Sequence, residues 1–167
     1  MQNADAANTM PGGDNMSVWH QAPAQGAQIS TDSVPKEWKE PGLPGRILVV
    51  EDDISLATLE ADVLTACGYS VVLAGNGELA VAVLRQAIPD LVVLDLELPG
   101  TMNGWDVLQV LRTHSKIPVL LTSSETGVRK RMRTSGESRV TLDQLPKPYP
   151  MQTLLKRIKR MLVIVPP

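Results

Sequence analysis

Four short stretches of this chain end in residues that can carry chemistry. Glu51 and Asp52 follow the run Ile47 to Val50, Asp95 closes LVVLD, Thr122, Ser123 and Ser124 follow IPVLL, and Lys147 stands before Pro148 after Leu142 to Pro146. If these stretches are neighbouring parallel strands, three carboxylates, a group of hydroxyls and an amine meet on one edge. Two like unit charges about 4 Å apart repel by about 4 kcal/mol at an effective dielectric of 20, so three uncompensated carboxylates require a cation. Oxygen donors with no Cys or His beside them favour a hard ion such as magnesium, held by one or two carboxylates with water and a substrate phosphate. Phosphoryl transfer needs little more than an in-line nucleophile and neutralised oxygens, which such a patch supplies. Each group alone has a plainer reading, because an Asp after a strand caps the next turn and a lone Lys is a surface amine. Their convergence separates the two readings.

The elements that would position these groups follow from the apolar pattern. LVVLD, bounded by Pro89-Asp90 and Pro99-Gly100, has the length and composition of a strand buried on both faces. Ile47 to Val50 and Pro118 to Leu121 read the same way, Tyr69 to Ala74 makes a second strand in chain order, and Leu142 to Pro146 a short fifth. Between them lie helical patterns. Asp53 can cap a helix from Ile54, with Leu56, Leu59, Val63 and Leu64 on one face and Gly68 as its stop. Asn76-Gly77 opens a helix carrying Leu79, Ala80, Val83 and Leu84, and Gly104 to about Thr113 forms the next. Met151 to Val163 closes the chain with Leu154, Leu155, Ile158, Met161 and Leu162 inward and Lys156, Arg157, Lys159 and Arg160 as a solvated face. Strands alternating with helices build βαβ units, right-handed crossovers and a parallel sheet covered on both sides. The stretch from Glu125 to Asp143, with Gly127, Gly136 and a cluster of arginines, predicts a short or mobile fourth helix.

Composition bounds the partners. With 167 residues and 43% hydrophobic content the chain supports one ordinary core, built without Phe. A net charge of -2 predicts no nucleic-acid partner and no membrane surface. Cys67 is the single cysteine, so no internal disulfide forms, and its place on a helical pattern predicts buried filler. No membrane-length apolar run and no signal-peptide layout occur, which predicts a cytoplasmic protein. Residues 1 to 43 are rich in Gly, Pro, Gln, Asn, Ala and Ser, with Trp19 and Trp38 isolated among them, and read as a disordered arm before a domain over 44–167.

The stretches ILVVEDD, PDLVVLDLELPG, IPVLLTSS and LPKPY, in this order, resemble the receiver domain of two-component response regulators, the family that includes the bacterial chemotaxis regulator. The likeness runs from about Gly45 to the carboxyl end. It implies an α/β fold, a doubly wound five-stranded parallel sheet in the flavodoxin-like order 2-1-3-4-5. It implies Asp95 as phosphoacceptor, Glu51 and Asp52 as the acidic pair for Mg2+, the Glu97 backbone carbonyl as a further ligand, Ser123 as the switch hydroxyl and Lys147 as the phosphoryl contact. The partners implied are a histidine kinase or histidine phosphotransfer protein and a downstream protein in a phosphorelay, with no enzymatic activity beyond the domain's own phosphorylation and dephosphorylation. A stand-alone receiver is expected, since Met151 to Val163 is spent on the last core helix.

The chain departs from the family pattern at three places. The loop GTMN before Gly104 is one residue longer than in most receivers and resembles those fused to hybrid kinases, Ser124 follows the switch hydroxyl where Ala or Gly is common, and Gln144 stands where many members carry Tyr or Phe. A pseudo-receiver that docks proteins without phosphorylation is the rival reading. A metal-dependent phosphohydrolase, with Glu97 as the second acid, is a further one, though the sequence shows no cap domain.

Overall fold

The structure is a computed structural model that describes residues 45–163, so the expected arm at 1–43, with Trp19 and Trp38, lies outside the described residues. Five strands, β1 (Arg46–Val50), β2 (Ser70–Ala74), β3 (Leu91–Asp95), β4 (Val119–Ser123) and β5 (Leu142–Pro146), alternate with five helices. These are α1 (Ile54–Ala66), α2 (Gly77–Gln86), α3 (Gly104–Arg112), α4 (Val128–Thr134) and α5 (Met151–Val163). The strands form one parallel sheet in the order β2-β1-β3-β4-β5, as the resemblance implied.

Why the central strands read as unbroken apolar runs is now plain. Successive side chains of a strand point to opposite faces, and both faces are covered. Leu48, Val50, Val92, Leu94, Val119 and Leu121 pack on one side against α2, α3 and Val128, while Ile47, Val49, Leu91, Val93 and Leu120 pack on the other against Leu64, Leu154, Ile158 and Met161. Every residue of β3 is buried. Register then sets the rim, because Val50 pairs with Leu94, Asp95 with Thr122, and Thr122 with Leu145. Residues one or two steps past these pairs therefore emerge side by side.

Several local expectations needed correction. On α1 the buried stripe is Ala57, Glu60 and Leu64, whereas Leu59 is 48% exposed. Apolar residues surround this helix, so the face is chosen by where α5 and the sheet lie. Cys67 is exposed, at the C-cap of α1, because the helix stops before burying it. The basic face of α5 is not wholly solvated, since Arg157 Nη1 donates to Asp143 Oδ2 at 2.5 Å and Arg160 donates to the same oxygen. The fourth helix is short, seven residues opening on a left-handed Gly127 without a side-chain cap. Among the described residues no helix is long and apolar enough to cross a membrane.

Candidate functional site

Each chain reversal at the carboxyl edge of the sheet supplies part of one cluster. After β1, Asp53 turns back to cap α1, accepting the N–H groups of Ser55 and Leu56 at 2.9 and 3.0 Å. Its own N–H donates to Glu51 Oε1 at 3.1 Å, which fixes the Glu51 carboxylate. Asp95 is 1% exposed, and its Oδ1 accepts the Glu97 N–H at 3.0 Å. The Lys147 N–H bonds to the Ser123 carbonyl at 2.9 Å, a β5–β4 link that brings the lysine to the rim, ahead of a cis Lys147–Pro148 peptide.

Lys147 Nζ donates to Glu51 Oε2 and Asp95 Oδ2, both at 2.8 Å. One ammonium thus bridges two buried carboxylates from separate strands. Oxygens of Glu51, Asp52 and Asp95 all lie within 4.8 Å of one another, with Asp52 exposed on the solvent side. Burial pushes the Glu51 carboxyl up from its usual range, against the lowering pull of Lys147 and of the Asp53 amide. Burial pulls on the Lys147 amine in the opposite sense, but its hydrogen bonds to Asp95 and Glu51 outweigh this and hold it above the ordinary lysine value. The lysine stays protonated, and one positive charge faces three acids. This oxygen-only set with unbalanced negative charge fits a hard divalent cation.

The side chains of two predicted site residues bond to the loop after β4, although the role expected of Glu97 belongs to its backbone carbonyl. The Ser123 hydroxyl accepts the Glu125 N–H at 2.8 Å, within its own loop. The Glu97 carboxylate reaches across to the N–H of Ser124, at 3.2 and 3.1 Å from its two oxygens. Gly104 explains the start of α3, because a Cβ there would stand 2.2 Å from the Asp95 carbonyl oxygen and 2.7 Å from Leu96 Cα. The long loop before it is tied down, since Glu78 Oε1 on α2 accepts the Thr101 N–H and hydroxyl at 3.1 and 2.6 Å. Trp105, one residue on, lies under Arg131 of α4, whose guanidinium is 4.0 Å from the ring centroid.

Sequence reasoning missed Glu60 and Tyr149. The Tyr149 hydroxyl donates to Glu60 Oε1 at 2.5 Å, two residues beyond Lys147. Spacing alone gave no signal for them, because apolar residues lie all around α1 and its buried stripe of Ala57, Glu60 and Leu64 is chosen by packing.

Comparison with known proteins gives a consistent result. The family model of the response regulator receiver domain matches residues 47–159. The DNA-binding response regulator MtrA of Mycobacterium tuberculosis is 39% identical over 114 residues, which are 68% of this chain and 49% of the relative. The transcriptional regulatory protein BaeR of Escherichia coli is 34% identical over 117 residues, covering 70% and 48% respectively. The structure of the chemotaxis response regulator CheY4 of Vibrio cholerae superposes with a TM-score of 0.63 at 29% identity, over 71% of this chain and 98% of that one. The chain spans about half the length of the curated relatives it matches.

These relatives correct the expectation of no nucleic-acid partner, because MtrA is named a DNA-binding response regulator. Net charge was the wrong quantity to read, because a total near zero says nothing of how charge is distributed along a sequence, nor of the half of each relative that this chain does not cover.

Proposed function

The chain belongs to the response regulator receiver domain family, and on that premise we propose that Asp95 accepts a phosphoryl group from a phosphohistidine of a kinase or phosphotransfer protein. In the proposed step an Asp95 carboxylate oxygen attacks phosphorus, the P–N bond of the donor breaks, and the histidine leaves with the bonding electron pair. Lys147 moves its ammonium from the carboxylate pair toward the incoming phosphoryl oxygens and offsets their charge. Glu51 and Asp52, with an Asp95 oxygen and the Glu97 carbonyl, are the residues that would hold Mg2+, which when bound neutralises charge on the transferring group. Ser123 gives up its contact with Glu125 to meet a phosphoryl oxygen, and the loop after β4 follows it. Water later cleaves the acyl phosphate, so the domain turns over its own phosphate and is not otherwise an enzyme.

The observation that carries this reading is the single Lys147 ammonium shared between Glu51 and Asp95 at 2.8 Å. We take 44–167 as the module, a cytoplasmic setting as its location, and the output as a phosphorylation-dependent protein contact that serves a DNA-directed regulator such as those it resembles. Acetyl phosphate with Mg2+ should add one phosphoryl group to the intact protein by mass, and Asp95→Asn should abolish the gain. Label retained in Asp95→Asn would remove the nucleophile assignment. Absence of label in the unaltered protein, with no Trp105 fluorescence response to millimolar Mg2+, would leave the phosphorylation-independent docking module in its place.

A further inference from the structure

Among the described residues, one buried side-chain oxygen lacks any hydrogen-bond partner, Glu60 Oε2. Glu60 is fully enclosed, at 0% exposure, and its other oxygen is held at 2.5 Å by the Tyr149 hydroxyl. An enclosed carboxylate with an unpaired oxygen costs more than the apolar residue its stripe calls for, and it is tolerated far better as the neutral acid. Tyr149 is covalently two residues from Lys147, so whatever fixes the phenol also fixes the path of the segment that carries the bridging ammonium.

We propose that Glu60 is a proton-sensitive positioning residue, held by Tyr149 and acting through its charge on Lys147, and thereby on the rate at which Asp95 is phosphorylated. The inference rests on the phosphoacceptor reading given above. The charged and titratable groups facing Glu60 are Tyr149 from the segment before α5, Glu51 at the end of β1, Asp95 at the end of β3, and Lys147 after β5. On α5 itself Lys156 and Lys159 are exposed and Arg157 and Arg160 are engaged with Asp143. Asp62 of α1 is exposed.

Burial pushes the Glu60 carboxyl up to about 7, against the lowering effect of the Tyr149 hydrogen bond, with the Glu51 charge adding to the rise. Near neutral pH Glu60 therefore changes between two forms. Protonated, it keeps the Tyr149 bond and adds no charge to the acid cluster. Ionised, it adds a buried negative charge to the Glu51 and Asp95 side of the rim. That charge holds the Lys147 ammonium on the carboxylates and repels an arriving phosphoryl group.

Two measurements test this on the full chain. In the unphosphorylated protein, the 15N signal of the Lys147 ammonium should shift with an inflection near the Glu60 titration, and Glu60→Gln should remove that inflection. Labelling by acetyl phosphate should fall about fivefold as pH rises through the same range. It should be insensitive to pH there in Glu60→Gln, and its inflection should move upward in Tyr149→Phe, where the stabilising hydrogen bond is gone. A Lys147 signal that ignores Glu60, or identical labelling profiles for the three proteins, overturns the inference. Coupled NMR titrations with no label at any pH would support the linkage and count against the phosphoacceptor reading alone.

Discussion

The Glu97 carboxylate accepts the backbone N–H of Ser124 at 3.1 Å, fastening the loop after β3 to the loop after β4 across the mouth of the acid rim. That N–H lies one residue past Ser123, on the strand paired with β3. A phosphoryl group on Asp95 would compete for it. Glu97→Ala should therefore speed hydrogen exchange at the Ser124 amide and raise the rate of labelling by acetyl phosphate about fivefold, the worth of about 1 kcal/mol of hydrogen bond. The carbonyl of residue 97 is retained in this variant. Unchanged exchange at Ser124 would show that the fastening has no hold in solution.

Gly104 is fixed by close approach. A methyl group at this position would overlap the Asp95 carbonyl oxygen and Leu96 Cα, both backbone atoms that cannot swing aside. Gly104→Ala should cost about 2 kcal/mol in urea unfolding, within the range of overpacked sites. It should also slow Asp95 labelling, because relief of the overlap displaces the end of β3. A variant as stable as the unaltered chain would mean that α3 shifts freely against that strand.

Asp143 lies in β5 at 5% exposure with two guanidiniums from α5 upon it. Removing the acid leaves the partly buried Arg157 unpaired, whereas removing the more exposed Arg160 leaves one ion pair in place. Asp143→Asn should lose about 3 kcal/mol, and Arg160→Ala less than about 1 kcal/mol. Urea melts of the two variants, compared at one pH, measure the asymmetry.

Stability should depend on pH through Glu60. Its carboxyl is raised in the fold from 4.5 to about 7, so the folded state holds this proton more tightly than the unfolded chain does. The associated stability is fully present below about pH 4.5 and is lost as pH rises to about 7, to a total of about 3 kcal/mol. Glu60→Gln, which cannot ionise, should lack this part of the profile. Unfolding free energies across pH 4 to 8 for both proteins provide the comparison, and parallel curves would show that Glu60 binds its proton equally well in the folded and the unfolded chain.

Much of the architecture could be read directly from residue order. Runs such as LVVLD are long enough for strands and too short for helices, and their ends fall at turn residues, so a parallel sheet necessarily gathers Glu51, Asp52, Asp95 and Lys147 on one edge. The interior of α1 could not be read this way. Leu59 and Glu60 are adjacent, apolar residues lie all around the helix, and only the placement of α5 and Tyr149 puts the acid inside and the leucine in water. The same limit applies to Asp143 with Arg157 and Arg160, to Glu97 with Ser124, and to the Ser123 hydroxyl turned to Glu125. Hydrophobic periodicity reports how each segment divides between core and solvent. Which side chain meets which across the fold depends on the relative positions of segments distant in the chain, and those are set when the layers pack.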